Sequence, residues 1–229
     1  MASSGTYAFA PGIGALALDA FARLTMRPTQ LTTEHLSRAQ TETNLMLSEW
    51  ANKQVNRWTS SLYSVSLVEG TATYSLPASL VAVLAAYITI TSGGATNDRI
   101  IAPLSTTDYA AIPSKMTQAP PTSYFLDKQI TPQITLWPVP DSGGPYVLNL
   151  RVLSQIQDAN LASGETPNIP YRFLDAFVSG LAHRLARVYR PDLEERRKQD
   201  AMEAWQVAAA QDAEDVPVIM APNLGGYYR

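Results

Sequence analysis

The spacing of apolar residues changes twice along this chain. Between Leu31 and Trp58, in "LTTEHLSRAQTETNLMLSEWANKQVNRW", Leu36, Ala39, Met46, Trp50 and Ala51 recur at three- and four-residue intervals. That is one face of a helix. Val55 and Trp58 extend the stripe, and Thr43 is its polar exception. Thr32 or Thr33 is placed to cap the N-terminus, and Glu34 suits the positive end of the helix dipole. A shorter helix is predicted from Ile13 to Leu24, ended near Arg27-Pro28.

The period then falls to two. Tyr63, Val65 and Leu67 alternate with serines, Glu69-Gly70 offers a turn, and Thr71 to Leu76 predicts the return strand of a hairpin. "LVAVLAAYITI" reads as a strand, "SGGATND" as turn material, "RIIAPL" as a resumed strand and "TTDYAAI" as one short helical turn. Strands are also predicted over Ser123 to Leu126, Gln133 to Trp137 and Tyr146 to Leu153. Tyr146, Leu148, Leu150 and Val152 share one face of the last, with Asn149 and Arg151 on the other. Ile134 and Leu136 likewise oppose Gln133 and Thr135. These alternating runs flank "WPVPDSGGP", which is therefore expected to be a bend joining antiparallel strands. Pro138 and Pro140 there suit a strand end or edge.

Helical spacing returns after "ASGETPNIP". Pro170 fits a first helical turn, and Phe173, Leu174, Phe177, Val178, Leu181, Leu185 and Val188 form a broad apolar face. Arg190-Pro191 breaks this helix. A last one is predicted from Asp192 to Ala213, with Leu193, Ala201, Trp205 and Ala208 as its stripe. Neither helical part can bury its stripe alone. The expected fold is therefore α+β: residues 1–58 and 165–213 as a discontinuous helical bundle, residues 59–155 as an inserted antiparallel β domain, and residues 214–229 as an extended C-terminal arm.

Composition narrows the possible functions. The chain has 229 residues, 46% hydrophobic and 16% charged, which is globular and long enough for one domain carrying an insertion. Its net charge of −3 gives no general attraction to nucleic acid or anionic membranes. The absence of cysteine excludes disulfides, thiolate nucleophiles and cysteine-ligated metals. His35 and His183 lie far apart in sequence, and no apolar run reaches the roughly 18 residues of a membrane span. The apolar start, "MASSGTYAFAPGIGALALDAFARL", lacks a basic leader and is punctuated by Asp19 and Arg23, so it is expected to be an ordered start and not a signal peptide.

Candidate chemistry is sparse. Asp175, Ser179 and His183 superficially resemble a hydrolase triad, but eight residues of helix span about 12 Å and a triad needs the histidine central. No glycine precedes a lysine, so a Walker-type phosphate loop is absent. Asp192, Glu194 and Glu195 ahead of Arg196, Arg197 and Lys198 are the ordinary charge layout of a solvated helix. No catalytic, cofactor-binding or metal-binding residues are predicted. Arg184, Arg187 and Arg190 are spaced so that two or three of them can line one helix side and, with Trp205, are candidates for a subunit interface. Acids balance bases in this region, which favours salt bridges over nucleic-acid contact. Trp50, Trp58 and Trp205 are read as core or interface anchors. The C-terminal arm carries Val216, Val218, Ile219, Met220, Leu224, Tyr227 and Tyr228 among prolines and glycines. So much apolar surface is unfavourable when exposed, so these residues are expected to dock on a neighbour or partner.

The order of these parts resembles the head-to-tail adaptor proteins of short-tailed phages, also called tail tubular protein A or head completion proteins. The resemblance rests on "LMLSEWANKQVNRW", "VSLVEGTATYSLP", "APPTSYFLDKQITPQITLWPVPDSGGPYVLNLRVL", "IPYRFLDAFVSGLAHRLARVYRP" and "EERRKQDAMEAWQVAAAQD" in that order, from about Leu31 to Ala213. It implies a homo-oligomeric ring of about twelve copies beneath the capsid portal, joined to the tail nozzle and fibres. The helical bundle would meet the portal, and genomic DNA would pass through the lumen without sequence-specific binding. It implies a virion protein assembled in the host cytoplasm, with no membrane partner and no catalytic residues to carry over. The segment before Pro28 and the C-terminal arm depart from that pattern. On the residues alone, a hydrolase with an unrecognised site and a monomeric carbohydrate-binding module remain alternatives.

Overall fold

The computed structural model describes residues 5–7, 9–53, 57–92, 94–161 and 164–212. In chain order its elements are α1 (Ile13–Arg23) and α2 (Thr33–Asn52), then β1 (Ser60–Ser66), β2 (Thr73–Ser75), β3 (Leu80–Ser92), β4 (Ala95–Ile100) and β5 (Ala102–Leu104). After α3 (Thr106–Ala111) come β6 (Ser123–Asp127), β7 (Gln133–Trp137) and β8 (Tyr146–Ser154), and then α4 (Leu174–Tyr189) and α5 (Glu194–Asp212). The fold is mixed α+β, with helices at both ends and strands between them.

The helices share one core centred on α4. Phe177, Leu181, Ala182, Leu185 and Ala186 are fully buried there, against Phe21 of α1, Met46 and Trp50 of α2, and Ala208 of α5. Gly180 lets α2 approach closely, because a Cβ at that position would meet the Met46 sulfur at 2.7 Å. Thr32 is the N-cap of α2. Its backbone N–H donates to His35 Nδ1 at 3.2 Å, so an imidazole takes the part usually played by a glutamate or glutamine side chain. Thr43 is buried with the stripe, and Leu36 lies at its exposed margin. Pro170 stands before the 3-10 turn Tyr171–Phe173, one step outside the position expected of it. Of the remaining helical expectations, Val55 and Ala213 lie outside the described residues.

The eight strands form two four-stranded sheets, ordered β1-β8-β3-β4 and β2-β7-β6-β5. All pairings are antiparallel except the parallel pair of β5 and β6. The sheets enclose a second core containing Ile88, Ile101, Ile134, Leu136, Tyr146, Leu148 and Leu150. On the opposite face of the first sheet a polar row crosses all four strands. Ser64 donates to Asn149 Oδ1 at 2.6 Å, Asn149 Nδ2 donates to Thr89 at 2.8 Å, and Thr89 donates to Asp98 at 2.6 Å. The edge strand β4 is exposed at all six positions.

Three local expectations are corrected. The run from Tyr63 to Leu76 is not a hairpin, because β1 pairs with β8 in one sheet and β2 with β7 in the other. Nor does "WPVPDSGGP" bend between paired strands: it carries the chain from β7 in one sheet to β8 in the other. The turn ahead of β4 is shorter than "SGGATND", since Ala95 to Asp98 already pair with β3. The first two errors have one physical cause. Alternation with period two says which side chains point at the core, and it is the same for strands side by side and for strands facing across a core. Here the crossing segments brace each other, with Gly70 N–H donating to the Pro140 carbonyl at 2.9 Å. Tyr146 donates to Asp141 Oδ1 at 2.6 Å, and the Gly143 amide donates to the same oxygen.

The segments flanking the strands are tied to the helical part by hydrogen bonds between side chains and backbone. Ala159 N–H donates to Asn44 Oδ1 at 2.8 Å, and Trp58 Nε1 donates to the Asn168 carbonyl at 3.0 Å. Ile156 and Ala159, just after β8, enter the helical core.

Candidate interface surfaces

Two surfaces of the bundle combine charge, aromatic rings and concavity. The first is a cleft of about 260 Å³ between α2, α4 and α5, lined among others by Glu49, Trp50, Lys53, His183, Arg184 and Trp205. Arg184 donates to Glu49 Oε2 at 2.5 Å and to Glu42 Oε2 at 3.3 Å, and Lys53 lies 2.7 Å from Glu49 Oε1. The Lys53 hydrogen bond, acting with Arg184 against the effect of burial, holds the Glu49 carboxyl below its usual value. Burial and then the Arg187 cation push His183 down in turn. This cleft is a network of opposite charges whose members already have partners.

The residues singled out for a subunit interface fall around this cleft and its far end. Trp205 packs against Trp50 and Phe173, with Lys53 Nζ 4.8 Å from its ring centroid. Arg187 meets Glu194 at 3.4 Å and keeps 55% of its side chain exposed. Arg190 donates to Asp192 at 2.9 and 2.7 Å, to the Leu24 carbonyl and to Thr25 Oγ1. Arg184 is only 19% exposed. All four therefore have roles inside the subunit, and Arg187 and Arg190 present the larger outward surfaces.

The apparent triad is taken apart by a residue from another helix. Arg23 of α1 donates to Ser179 Oγ at 2.5 Å and to Asp175 Oδ1 at 2.7 Å. His183 lies on the other side, with its Nε2 3.4 Å from Arg187. Ser179 is thus an acceptor for a guanidinium, which is the reverse of an activated nucleophile. Among the described residues no group of three histidine, aspartate or glutamate side chains could hold a metal ion. Among them, too, no helix is long and apolar enough to cross a membrane.

The second surface lies where the segment before α1 passes the start of α4. Tyr7 and Phe9 stand exposed there and, with Leu16, Tyr171, Leu174 and Val178, wall an open cleft of about 800 Å³. Asp19, Arg23 and Asp175 form its polar rim. Beside it a buried ion pair closes the bundle. Asp212, the last residue of α5, accepts from the Arg172 guanidinium and from the Arg57 N–H at 3.2 Å. Neither this pair nor the cleft was found from sequence. The exposed aromatics of "GTYAFAPG" were the available signal for the cleft, whereas nothing in the spacing marks Asp212 as buried. Val216, Val218, Ile219, Met220, Leu224, Tyr227 and Tyr228 lie outside the described residues.

The sequence model of one protein family, described as SU10 adaptor protein, matches residues 15–223. The match takes in most of both cores, most of α1 and the chain through Asn223, and residues 1–14 and 224–229 lie outside it. No curated protein matches the chain.

Proposed function

The chain belongs to the SU10 adaptor protein family, a family of phage adaptor proteins, and from that membership we propose a structural connector at the head–tail junction of a virion. In this reading copies of the chain form a ring of about twelve beneath the portal. The ring extends the DNA channel and joins the portal to the tail nozzle and fibres. The family match, which spans nearly the whole chain, is the observation that carries the proposal. Two physical features agree with it. The net charge of −3 gives a channel wall no strong hold on passing DNA. The exposed Arg187 and Arg190 also offer a ring-forming neighbour charged contacts on one side of the bundle, with Arg184 and Trp205 fixing the helices behind them.

The helical core and the strand core contain different residues. On this basis residues 1–58 with 165–213 are taken as one unit and residues 59–155 as a unit inserted in it. The role is structural, without a reaction, and the protein works in the virion after assembly in the host cytoplasm. Residues 214–229 are proposed to press against the portal or an adjacent subunit through their apolar side chains. Many arms in one ring would then hold by avidity even where each alone is weak.

The native mass of the purified protein, alone and mixed with portal rings, tests the assembly. A ring mass or a saturable portal complex is expected, and a monomer that ignores the portal would refute the connector. Truncation before Glu214 tests the arm: the described cores should still fold while portal attachment falls sharply. Unchanged attachment would remove the arm from the proposal.

A further inference from the structure

The apolar cleft beside the start of α4 lies near Asp212, where the described residues end. Tyr171 lines that cleft with 78% of its surface exposed, and the adjoining Arg172 is the residue that grips Asp212. The arm therefore starts within a few residues of the opening, since an extended chain covers about 3.3 Å per residue. Its first apolar positions, Val216 to Met220, begin four residues past Asp212, an extended length of about 13 Å. Chemistry matches as well as distance. From Val216 to Tyr228 the arm carries no charge, and the cleft walls are Tyr7, Phe9, Leu16, Leu174 and Val178. The α2–α4–α5 cleft instead sets Glu49, paired with Lys53 and Arg184, among its apolar walls, so an uncharged segment entering it would have to desolvate those ion pairs.

We propose that in the free subunit the C-terminal arm seats in this cleft of its own chain, with Val216 to Met220 between the Tyr7–Phe9 segment and the first turns of α4. The seat covers aromatic surface that an isolated subunit would otherwise leave in water. Its consequence rests on the reading of the arm as a docking element: the arm must leave its own cleft before it can meet a partner, so partner binding competes with the seat. The walls of the seat also straddle the family boundary. Tyr7 and Phe9 precede the matched residues, whereas Leu174 and Val178 lie inside them.

The chain contains no cysteine, so the seat can be read directly. Leu174→Cys is combined in turn with Val218→Cys, Ile219→Cys and Met220→Cys in the full-length protein, and each dilute monomer is oxidised. At least one pair should close an intramolecular disulfide about tenfold faster than the same arm cysteine does with Leu18→Cys, which lies in a different groove beside Gly14 and Leu36. Rates no faster than the Leu18→Cys controls would overturn the proposal, and so would disulfide-linked oligomers in place of a linked monomer. A second measurement does not depend on cysteine geometry. Leu174→Asp should make chymotryptic cleavage after Met220 and Leu224 about tenfold faster by emptying the seat, because cleavage follows the population of the released arm. An unchanged rate would also overturn it. Neither measurement involves a portal, so failure here leaves the connector reading standing, and failure of portal attachment leaves the seat standing.

Discussion

Replacing Asp212 with alanine removes one carboxylate that serves two donors from different parts of the chain. Its side chain is only 2% exposed, and the Arg172 guanidinium it holds is 24% exposed. Among the described residues Arg172 Nε already has no hydrogen-bond partner, so in Asp212→Ala much of the guanidinium would be stranded. The Arg57 N–H would lose its acceptor as well. Breaking a buried pair from one side costs about 3–5 kcal/mol. Arg172 keeps some access to water and lies over Trp58 and Phe173, which brings the expected loss to about 2–4 kcal/mol. Urea unfolding followed by tryptophan fluorescence measures it as a lower midpoint at constant slope. The double variant Asp212→Ala with Arg172→Met should be more stable than Asp212→Ala alone, since it replaces the stranded cation with an apolar chain. A loss below about 0.5 kcal/mol, or a double variant weaker than the single one, would refute the reasoning.

Two further perturbations probe the other contacts. Gly180→Leu should cost about 1–3 kcal/mol in thermal unfolding, because even a Cβ there meets the Met46 sulfur at 2.7 Å, and Met46→Ala in the same chain should restore part of the loss. Tyr146 is pushed up to about 12 by burial and by its hydrogen bond to Asp141. Its phenol is thus held protonated in the folded chain, and the stability this provides is complete below the unfolded value of about 10 and lost as pH rises from there towards about 12. Tyr146→Phe should flatten that part of the stability curve, and identical wild-type and variant slopes would show that the pair does not matter.

Much of the secondary structure was legible because each element carries its own period. The stripe of α2 and the apolar face of α4 place Met46, Trp50, Phe177 and Leu181 in the core they occupy. Strand pairing was less legible. Tyr63, Val65 and Tyr74 alternate correctly and pack against one core, yet they belong to two sheets. The same limit governs the surfaces. Arg184, Arg187 and Arg190 were visible as a row on one helix, but their partners Glu42, Glu194 and Thr25 come from other elements that only folding brings near. Helix spacing set Asp175 apart from His183 but left Ser179 within reach of that imidazole, because Arg23, the residue that joins Asp175 and Ser179, lies more than 150 positions away.

The exposed edge strand β4 bears on how copies of this chain coexist. Any particle that gathers them raises the local concentration of every unpaired strand edge, and such an edge can template the next chain into a growing sheet. On β4 that invitation is blunted by Asn97, Asp98 and Arg99 in succession. Thr89 holds the Asp98 carboxylate in place, so a second strand sliding alongside would have to desolvate a fixed negative charge. Crowding then favours the contacts made by helices and loops, and sheet-to-sheet growth is penalised at its first step.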